Sequence, residues 1–424
     1  MSISPENQKR HDEKLKRIND AIALRTPDRV PISPPPEIFP VFHAGYTMAE
    51  VIYDTTLEKM KDATIRFLRD FDPDSAWGSV LGFILAGEGP GMELSMPKNM
   101  RWAGMPGNVI DKNSIQQFIE YPLLLDEEYD EFFTDRTGWA LRKSLPRLSS
   151  LTESLASFYV DAAYSNASVR MLAAQLSTPE AKEMIRGLWA LEDYYQAYAA
   201  KAAAAEQEVM EMGFPILVGG MASVPFDDYS DFLRGTLLAC ADLYDRPQDV
   251  QKYIDARLEL TLAMIAATKG QDEGKHIFMP LHKGMDGFMN DEHYRKFYWS
   301  HLQKIILAII DSGKVPFIYT EGKYNSRLDC LTEVPPGKVF YHFEEVDMAV
   351  AKKKLGGIAC IAGGFPATLL DWGTPQQVRE TVKRQLDACA PGGGYIFETS
   401  CGLGNAKREN VEMMFDTVRE FGKY

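Results

Sequence analysis

Three residues in the last third of the chain combine side-chain types that bind zinc in enzymes. Glu321, His342 and Cys401 each lie at or just after the end of a short apolar run typical of a buried strand. In a closed barrel of parallel strands, groups at the carboxyl ends converge on one site. A carboxylate, an imidazole and a thiolate are ligands that zinc accepts, and three protein ligands with one open position are typical of a catalytic zinc. A salt-bridged loop glutamate and a core cysteine are the structural alternatives at these positions.

A polar pair ends another predicted strand. His282 and Lys283 follow the apolar residues 276–281 and could anchor an anion or a substrate oxygen. A histidine with purely structural hydrogen bonds is an equal alternative. The sequence contains no GxSxG motif and no Ser-His-Asp or Cys-His signature, which argues against a covalent nucleophile.

Short β-rich runs alternate with helical ones along the chain. Strands are predicted over residues 29–35, 74–80, 214–220, 276–281, 315–320, 338–343, 357–363 and 394–399. Strands buried on both faces read as nearly continuous apolar runs, and their alternation with helices indicates a parallel sheet. Eight such strands suit a closed (β/α)8 (TIM) barrel, with a doubly wound open sheet as the competing arrangement.

The domain organisation follows from the same pattern. An N-terminal helical extension is predicted over residues 1–28, and a single barrel domain over residues 29–424. Residues 111–212 are mostly helical and are interpreted as barrel helices plus a helical insertion, rather than as a separate domain. Apolar patches on the insertion helices could serve a homodimer or a protein partner.

The composition excludes several classes of protein. The 424 residues include 46 basic and 60 acidic ones, a formal charge of −14, which argues against nucleic-acid binding. The longest apolar runs fall short of the roughly 20 residues that a membrane-spanning helix needs. The odd number of cysteines, five, is widely scattered and fits reduced thiols. We therefore expect a cytoplasmic protein that does not bind a membrane.

The closing segment GTPQQVRETVKRQLDACAPGGGYIFETSCGLGNAKRENVEMMFDTVREFGKY resembles that of the uroporphyrinogen decarboxylase superfamily, in particular its corrinoid-dependent methyltransferases. The opening PDRVPI and the segment GMDGFMNDEHYRKFYWSHLQKII are similar to shared segments of the same superfamily. The resemblance implies a (β/α)8 barrel. The Arg-Gln-Ala-Gly-Arg motif with which the decarboxylases grip substrate carboxylates is missing after residues 31–36, which makes porphyrinogen decarboxylation an unfavoured activity.

The resemblance also implies a ligand set. The thiol-methylating branch binds zinc through a His-x-Cys-Gly motif and a later Cys-Gly step. Here Tyr319 occupies the histidine position, Glu321 occupies the cysteine position, and Cys401-Gly402 matches the later step. His342 follows Glu321 with a Glu-x20-His spacing similar to that of the methyltransferase component of anaerobic aryl-ether O-demethylases. We therefore predict zinc held by Glu321, His342 and Cys401 as the catalytic group.

The predicted activity is zinc-dependent O-demethylation. Glutamate and histidine make a harder zinc, which is suited to an oxygen leaving group. The methyl group of a phenyl methyl ether would pass to cob(I)alamin, a corrinoid (cobalamin) cofactor carried by a separate corrinoid protein. Tyr319, His282 and Lys283 are predicted to contact the substrate or the metal ligands.

Three other functions are compatible with the sequence. A metal-free decarboxylase-like enzyme would need a basic pocket, for example from Lys283, Lys323 and Arg327. A methylcobalamin:thiol methyltransferase would use the same barrel with a thiol acceptor. A non-catalytic barrel could bind an aromatic molecule or a corrinoid without methyl transfer.

Overall fold

A computed structural model of the protein describes residues 3–77, 86–107, 110–160 and 165–424. The predicted strand at 74–80 is therefore described only as far as residue 77, and residues 78–80 lie outside the described residues. The strands are β1 (Met100–Arg101), β2 (Gln117–Phe118), β3 (Val218–Met221), β4 (His276–Leu281), β5 (Val315–Lys323), β6 (Phe340–Glu345) and β7 (Cys360–Gly363). β1 and β2 form a small antiparallel pair, and β3 to β7 form a parallel sheet in chain order.

Three further segments complete the barrel by backbone hydrogen bonds. Ile361 donates to the carbonyl of Gly394 (3.1 Å), and Ser33 donates to that of Phe397 (3.0 Å). Asp74 donates to Ile32 (2.8 Å), and Ala76 donates to Pro215 just before β3 (3.0 Å). The bonds connect β7 through residues 394–399, 30–33 and 74–76 to the start of β3. The predicted closed (β/α)8 barrel is confirmed, and the open sheet is excluded.

Helices surround the barrel and fill the region between its first and later strands. The α-helices are Pro5–Ile22, Phe39–His43, Met48–Ile52, Glu58–Phe71, Gly89–Ser95, Tyr129–Thr134, Arg136–Trp139, Leu145–Leu148, Ser165–Leu176, Pro179–Glu211, Pro225–Tyr229, Thr236–Asp245, Pro247–Ala267, Asp291–His293, Ser300–Asp311, Leu328–Leu331, Met348–Leu355, Thr368–Trp372, Pro375–Cys389 and Arg408–Phe421. The 3-10 turns are Asp126–Glu128, Ser150–Ser157 and Asn325–Arg327, and the π-helical turns are Ala140–Ser144, Ser230–Arg234 and Tyr294–Trp299. None of the helices in the described ranges is long and apolar enough to cross a membrane.

Side chains along the barrel strands alternate between its interior and the surrounding helices, as the two-residue repeat of a strand requires. Phe278, Phe317 and Phe340 lie side by side in register and belong to the interior cluster. Their neighbours Ile318 and Tyr341 belong to the larger cluster formed with the helices. The interior is therefore a packed core. Polar side chains lie above it, at the carboxyl ends of the strands.

The N-terminal helix Pro5–Ile22 packs against the barrel interior cluster. Ile18, Ala21 and Ile22 are buried in that cluster, and the Ser4 side chain caps the helix by accepting from the Asn7 amide. Its Arg17 also reaches the fully buried Asp74 (2.6 Å). Burial of this apolar face fixes the extension to the barrel. The domain boundaries at residues 28 and 29, and the limits of the insertion at 111–212, stay predictions.

Candidate active site at the barrel mouth

Strand register places three polar side chains in one layer at the carboxyl ends of β4, β5 and β6. Tyr319 pairs with His342, so Glu321 and Glu344 lie two residues further along the same interior faces. Leu281 pairs with Thr320, which sets His282 beside Glu321. A register shift after Thr320 and the positive φ of Gly322 (76°) bend β5 here, and the Gly322 amide donates to the Glu344 carboxylate. The mouth thus carries His282, Glu321 and Glu344.

His282 is held firmly by its neighbours. Its Nδ1 lies 2.5 Å from an Asp231 carboxylate oxygen, and its Nε2 lies 3.7 Å from Glu321 Oε1. Burial of the ring favours the neutral form, but Asp231, Asp227 and Glu321 outweigh that effect and raise the pKa of His282 to about 9. The ring is therefore an imidazolium at neutral pH, with one N–H fixed and the other facing the mouth.

Asp227 positions the turn that carries His282. Its carboxylate accepts from the backbone amides of His282 (3.1 Å) and Lys283 (2.9 Å) and from the Tyr298 hydroxyl (2.6 Å). Burial raises its pKa to about 7, against the opposing charge of His282. Asp227 and Asp231 lie four residues apart, on the helix Pro225–Tyr229 and the π-helical turn that continues it, so both reach the same strand end. Neither residue was predicted from the sequence, although the two aspartates four residues apart in DDYSD, after a predicted strand, were a usable signal.

His342 lies one layer deeper than the mouth. Its Nδ1 is 2.6 Å from Glu398 Oε2, its Nε2 is 3.1 Å from the carbonyl oxygen of Ser400, and the Tyr319 ring stacks on it at 4.0 Å. Trp77 donates to the other Glu398 oxygen (3.3 Å). A carbonyl oxygen only accepts, so Nε2 carries a hydrogen and has no lone pair for a metal. Tyr319 and His342 therefore form the floor of the site rather than its reactive surface.

Cys401 lies on the far side of the mouth from β4. Its sulfur is 3.9 Å from the Ser400 hydroxyl. Burial, together with the nearby carboxylates of Glu37 and Glu344, raises its pKa above the ordinary thiol value. Glu37 also has a raised pKa because of burial, and its carboxylate packs so closely on Gly402 that a larger residue there would overlap it. Cys401 is a protonated thiol among acids, which is the opposite of an activated thiolate.

In this arrangement the three predicted zinc ligands contact other groups. Glu321 faces His282, His342 is committed to Glu398 and Ser400, and Cys401 is a thiol beside Ser400. Throughout the described ranges, no three His, Cys, Asp or Glu side chains are grouped so that they could hold a metal ion. The donor set does not fit zinc as it stands.

The three residues proposed for a basic pocket are already bound to carboxylates or backbone carbonyls. Lys283 pairs with Asp231 (2.9 Å) and Lys323 pairs with Glu345 (3.3 Å). Arg327 is buried, and it binds Asp291 (2.5 Å) and the backbone carbonyls of Gly284 and Met289. The basic pocket expected for a decarboxylase of anionic substrates is therefore not formed by Lys283, Lys323 and Arg327. Acidic side chains dominate the mouth instead.

A mostly apolar cavity of about 330 Å³ reaches His282 from the side of β3. Its walls come from the ends of β3 and β4 and from the helices Pro225–Tyr229 and Pro247–Ala267. Apolar wall residues include Met221, Ala222, Phe232, Met264, Ile265 and Pro280. Its polar wall residues are Ser223, Asp227, Asp228, Asp231, Arg257, Thr261 and His282. Of these, Asp231 pairs with His282 and Asp228 pairs with Arg257. The volume lies in the range of small-molecule sites, about 300–1,000 Å³.

The fold and the polar mouth define a (β/α)8 barrel protein with a candidate active site at the carboxyl ends of its strands. The family model for uroporphyrinogen decarboxylase (URO-D) matches residues 179–421, and the chain belongs to this family.

Curated relatives match over a shorter stretch. The uroporphyrinogen decarboxylase of Neisseria gonorrhoeae is 20% identical over 185 residues, 43% of this chain and 51% of the relative. That of Pseudomonas fluorescens is 24% identical over 42% of this chain and 50% of the relative. The matches thus span about half the length of these relatives.

A solved structure is similar over almost the whole chain. A methyltransferase from Methanosarcina mazei superposes with a TM-score of 0.57 at 16% identity, covering 96% of this chain and 98% of the other. At this identity the likeness shows the fold alone, and it agrees with the closed barrel described above.

Proposed function

We propose that this protein transfers the methyl group of an aryl methyl ether to the cobalt of a corrinoid carried by a partner protein. The observation that carries the proposal is the apolar cavity that ends on His282, whose imidazole is held by Asp231. The methyltransferase activity named for the structural neighbour from Methanosarcina mazei is consistent with it. The corrinoid enters as a co-substrate, and its reduced cobalt supplies the nucleophile.

The cavity suits the aryl group of the donor. Its apolar walls would bury a small aromatic ring without an unpaired charge, and the thioethers of Met221 and Met264 can adapt to ring substituents. The ether oxygen would then face His282. The cavity favours an uncharged donor, because the two cations that line it, Arg257 and His282, are already paired with Asp228 and Asp231.

A phenolate is a poor leaving group unless its oxygen is protonated, and His282 would supply the proton. When the bond between the methyl carbon and the ether oxygen breaks, the electron pair stays on oxygen and the methyl group goes to cobalt. The imidazolium of His282 donates its Nε2 proton to that oxygen, so the product is a neutral phenol. Asp231 keeps the ring oriented and stabilises its charge.

Glu321 completes the proton path. Its carboxylate lies 3.7 Å from His282 Nε2, and its side chain is 46% exposed, so it contacts both the ring and solvent. Burial and the neighbouring Glu344 raise its pKa, which brings it closer to the range of a proton carrier. After product leaves, Glu321 would return a proton to the neutral imidazole.

The test is a spectroscopic assay of cob(I)alamin methylation with reduced corrinoid, using a panel of methoxyarenes, thiols and methylamines. We expect methylation with methoxyarenes, and a loss of about 100-fold or more in His282→Gln, because general acid catalysis contributes on this scale. His11→Gln, on the N-terminal helix, is the matched control and should keep full activity. Turnover of thiols or methylamines alone, or full activity of His282→Gln, would contradict the proposal.

A further inference from the structure

A second cavity, of about 600 Å³, lies beside the helix Gly89–Ser95 and the strand β1. Its wall includes Met92, Met96, Lys98, Arg101, Trp102 and Met105. Among the residues that the structure describes, it shares no lining residue with the cavity that reaches His282. The proposed methyl transfer makes no use of it.

The apolar part of this second cavity is made of adaptable side chains. Three methionines and one tryptophan face a single volume. Met92 and Trp102 are buried, so their contacts are fixed, whereas Met96 is 48% exposed. Unbranched thioethers fill irregular gaps and make favourable contacts with aromatic rings. Such a wall suits a planar apolar body better than an aliphatic polar one.

Three charged residues, Lys98, Glu93 and Arg101, line the second cavity. Arg101 is held by the backbone. Its Nη1 donates to the backbone carbonyls of Met100 (2.7 Å) and Lys98 (3.3 Å), and within the part of the chain that the structure describes it pairs with no carboxylate. Lys98 is already bound to Glu153 (2.6 Å). The acidic wall residue Glu93 accepts from the Tyr53 hydroxyl (2.5 Å). Arg101 thus keeps its remaining N–H donors for an oxyanion, which a guanidinium binds in a planar, two-point manner.

The whole chain carries a formal charge of −14. This net negative charge would repel an anion at long range. An anion would therefore be held only by a local cation beside an apolar wall. We propose that the second cavity binds a small amphipathic anion, an oxyanion on a planar apolar body. This site goes beyond the proposed methyl transfer and does not depend on it.

The test uses two fluorescent probes of similar shape on the full-length protein. 8-Anilinonaphthalene-1-sulfonate carries the oxyanion, and N-phenyl-1-naphthylamine lacks it. We expect Arg101→Gln to weaken the sulfonate by about tenfold or more while leaving the neutral probe unchanged, because a hydrogen bond to a charged group contributes about 1.5–3 kcal/mol. Unchanged binding of the neutral probe also shows that the variant is folded.

Two further variants locate the site. Met105→Trp fills the second cavity and should weaken both probes, whereas Arg66→Gln, which removes an exposed arginine paired with Asp62, should change neither. Equal sulfonate affinity in wild type and Arg101→Gln would overturn the proposal. So would a loss of sulfonate binding in Ala222→Phe, because that substitution fills the cavity beside His282 instead.

Discussion

His282 Nδ1 and the Asp231 carboxylate are 2.5 Å apart, and this contact joins the end of β4 to the helical turn that follows β3. The pair fixes one ring nitrogen and leaves the other directed to the mouth. Asp227 reinforces the arrangement from the same helix by binding the backbone on which His282 stands. These contacts therefore hold the charged imidazole of His282 in one position and orientation.

Asp231→Asn should lower the pKa of His282, because the amide removes the negative charge that favours the imidazolium. A general acid works only when protonated, so the alkaline limb of the pH–rate profile should move to lower pH. NMR titration of the His282 ring, followed by the pH profile of methyl transfer, measures both. Asp311→Asn, an exposed control, should leave both values unchanged. An identical ring pKa in Asp231→Asn would contradict the role of Asp231.

The free energy of unfolding should fall as pH rises from about 6.5 to 9. The folded pKa of His282 is raised above its ordinary value of 6.5, so its stabilising contribution is complete below 6.5 and is lost through about 9. The loss is about 3 kcal/mol, because each unit between the ordinary and the folded pKa corresponds to about 1.4 kcal/mol. Urea unfolding at several pH values measures it. In His282→Gln the decline across this window should be smaller, and an equal decline would assign the effect to another group.

His342→Ala should destabilise the fold by about 3–5 kcal/mol, because it leaves the buried Glu398 without its partner. Urea denaturation of His342→Ala and of His11→Ala, measured in parallel, separates this effect from the loss of a half-buried histidine on the N-terminal helix. A decrease of less than about 1 kcal/mol in the free energy of unfolding of His342→Ala would contradict this role of His342. It would mean that Glu398 is protonated and hydrogen-bonded to other groups.

Zinc content tests the ligand set predicted from the sequence. Since His342 Nε2 carries a hydrogen directed at the Ser400 carbonyl, we expect His342→Ala to contain as much zinc as wild type when both are measured by elemental analysis. The variants Glu321→Ala and Cys401→Ala extend the comparison to the other two predicted ligands. Stoichiometric zinc in wild type that is lost in all three variants would mean that the side chains rearrange around the metal.

The parallel strands β3 to β7 were predictable because their apolar runs are bounded by turn residues, whereas the two-residue strands β1 and β2 were not predicted. The prediction for residues 276–281 matches β4, whereas β5 continues to Lys323, past the predicted end, because Gly322 adopts a positive φ and lets the strand bend. The depth of each strand-end residue was not predictable. His342 and Glu321 end neighbouring runs, yet the stagger of the barrel sets them in different layers, and stagger depends on pairing that one sequence does not specify.

Ala222→Phe tests the cavity beside His282 in the proposed reaction. Ala222 lines this cavity, and a phenyl group there would occupy space needed by the aryl part of the donor. We expect KM for methoxyarenes to rise by about tenfold or more, since each lost apolar contact reduces binding, with a smaller change for the least substituted donor. Steady-state kinetics across donors of increasing size measures this. Ala266→Phe, an exposed residue on the helix Pro247–Ala267 that does not line the cavity, is the matched control and should leave KM unchanged. A loss of kcat that does not depend on donor size in Ala222→Phe would contradict this prediction and would indicate that the turn carrying His282 has moved. NMR of the His282 ring would detect such a movement.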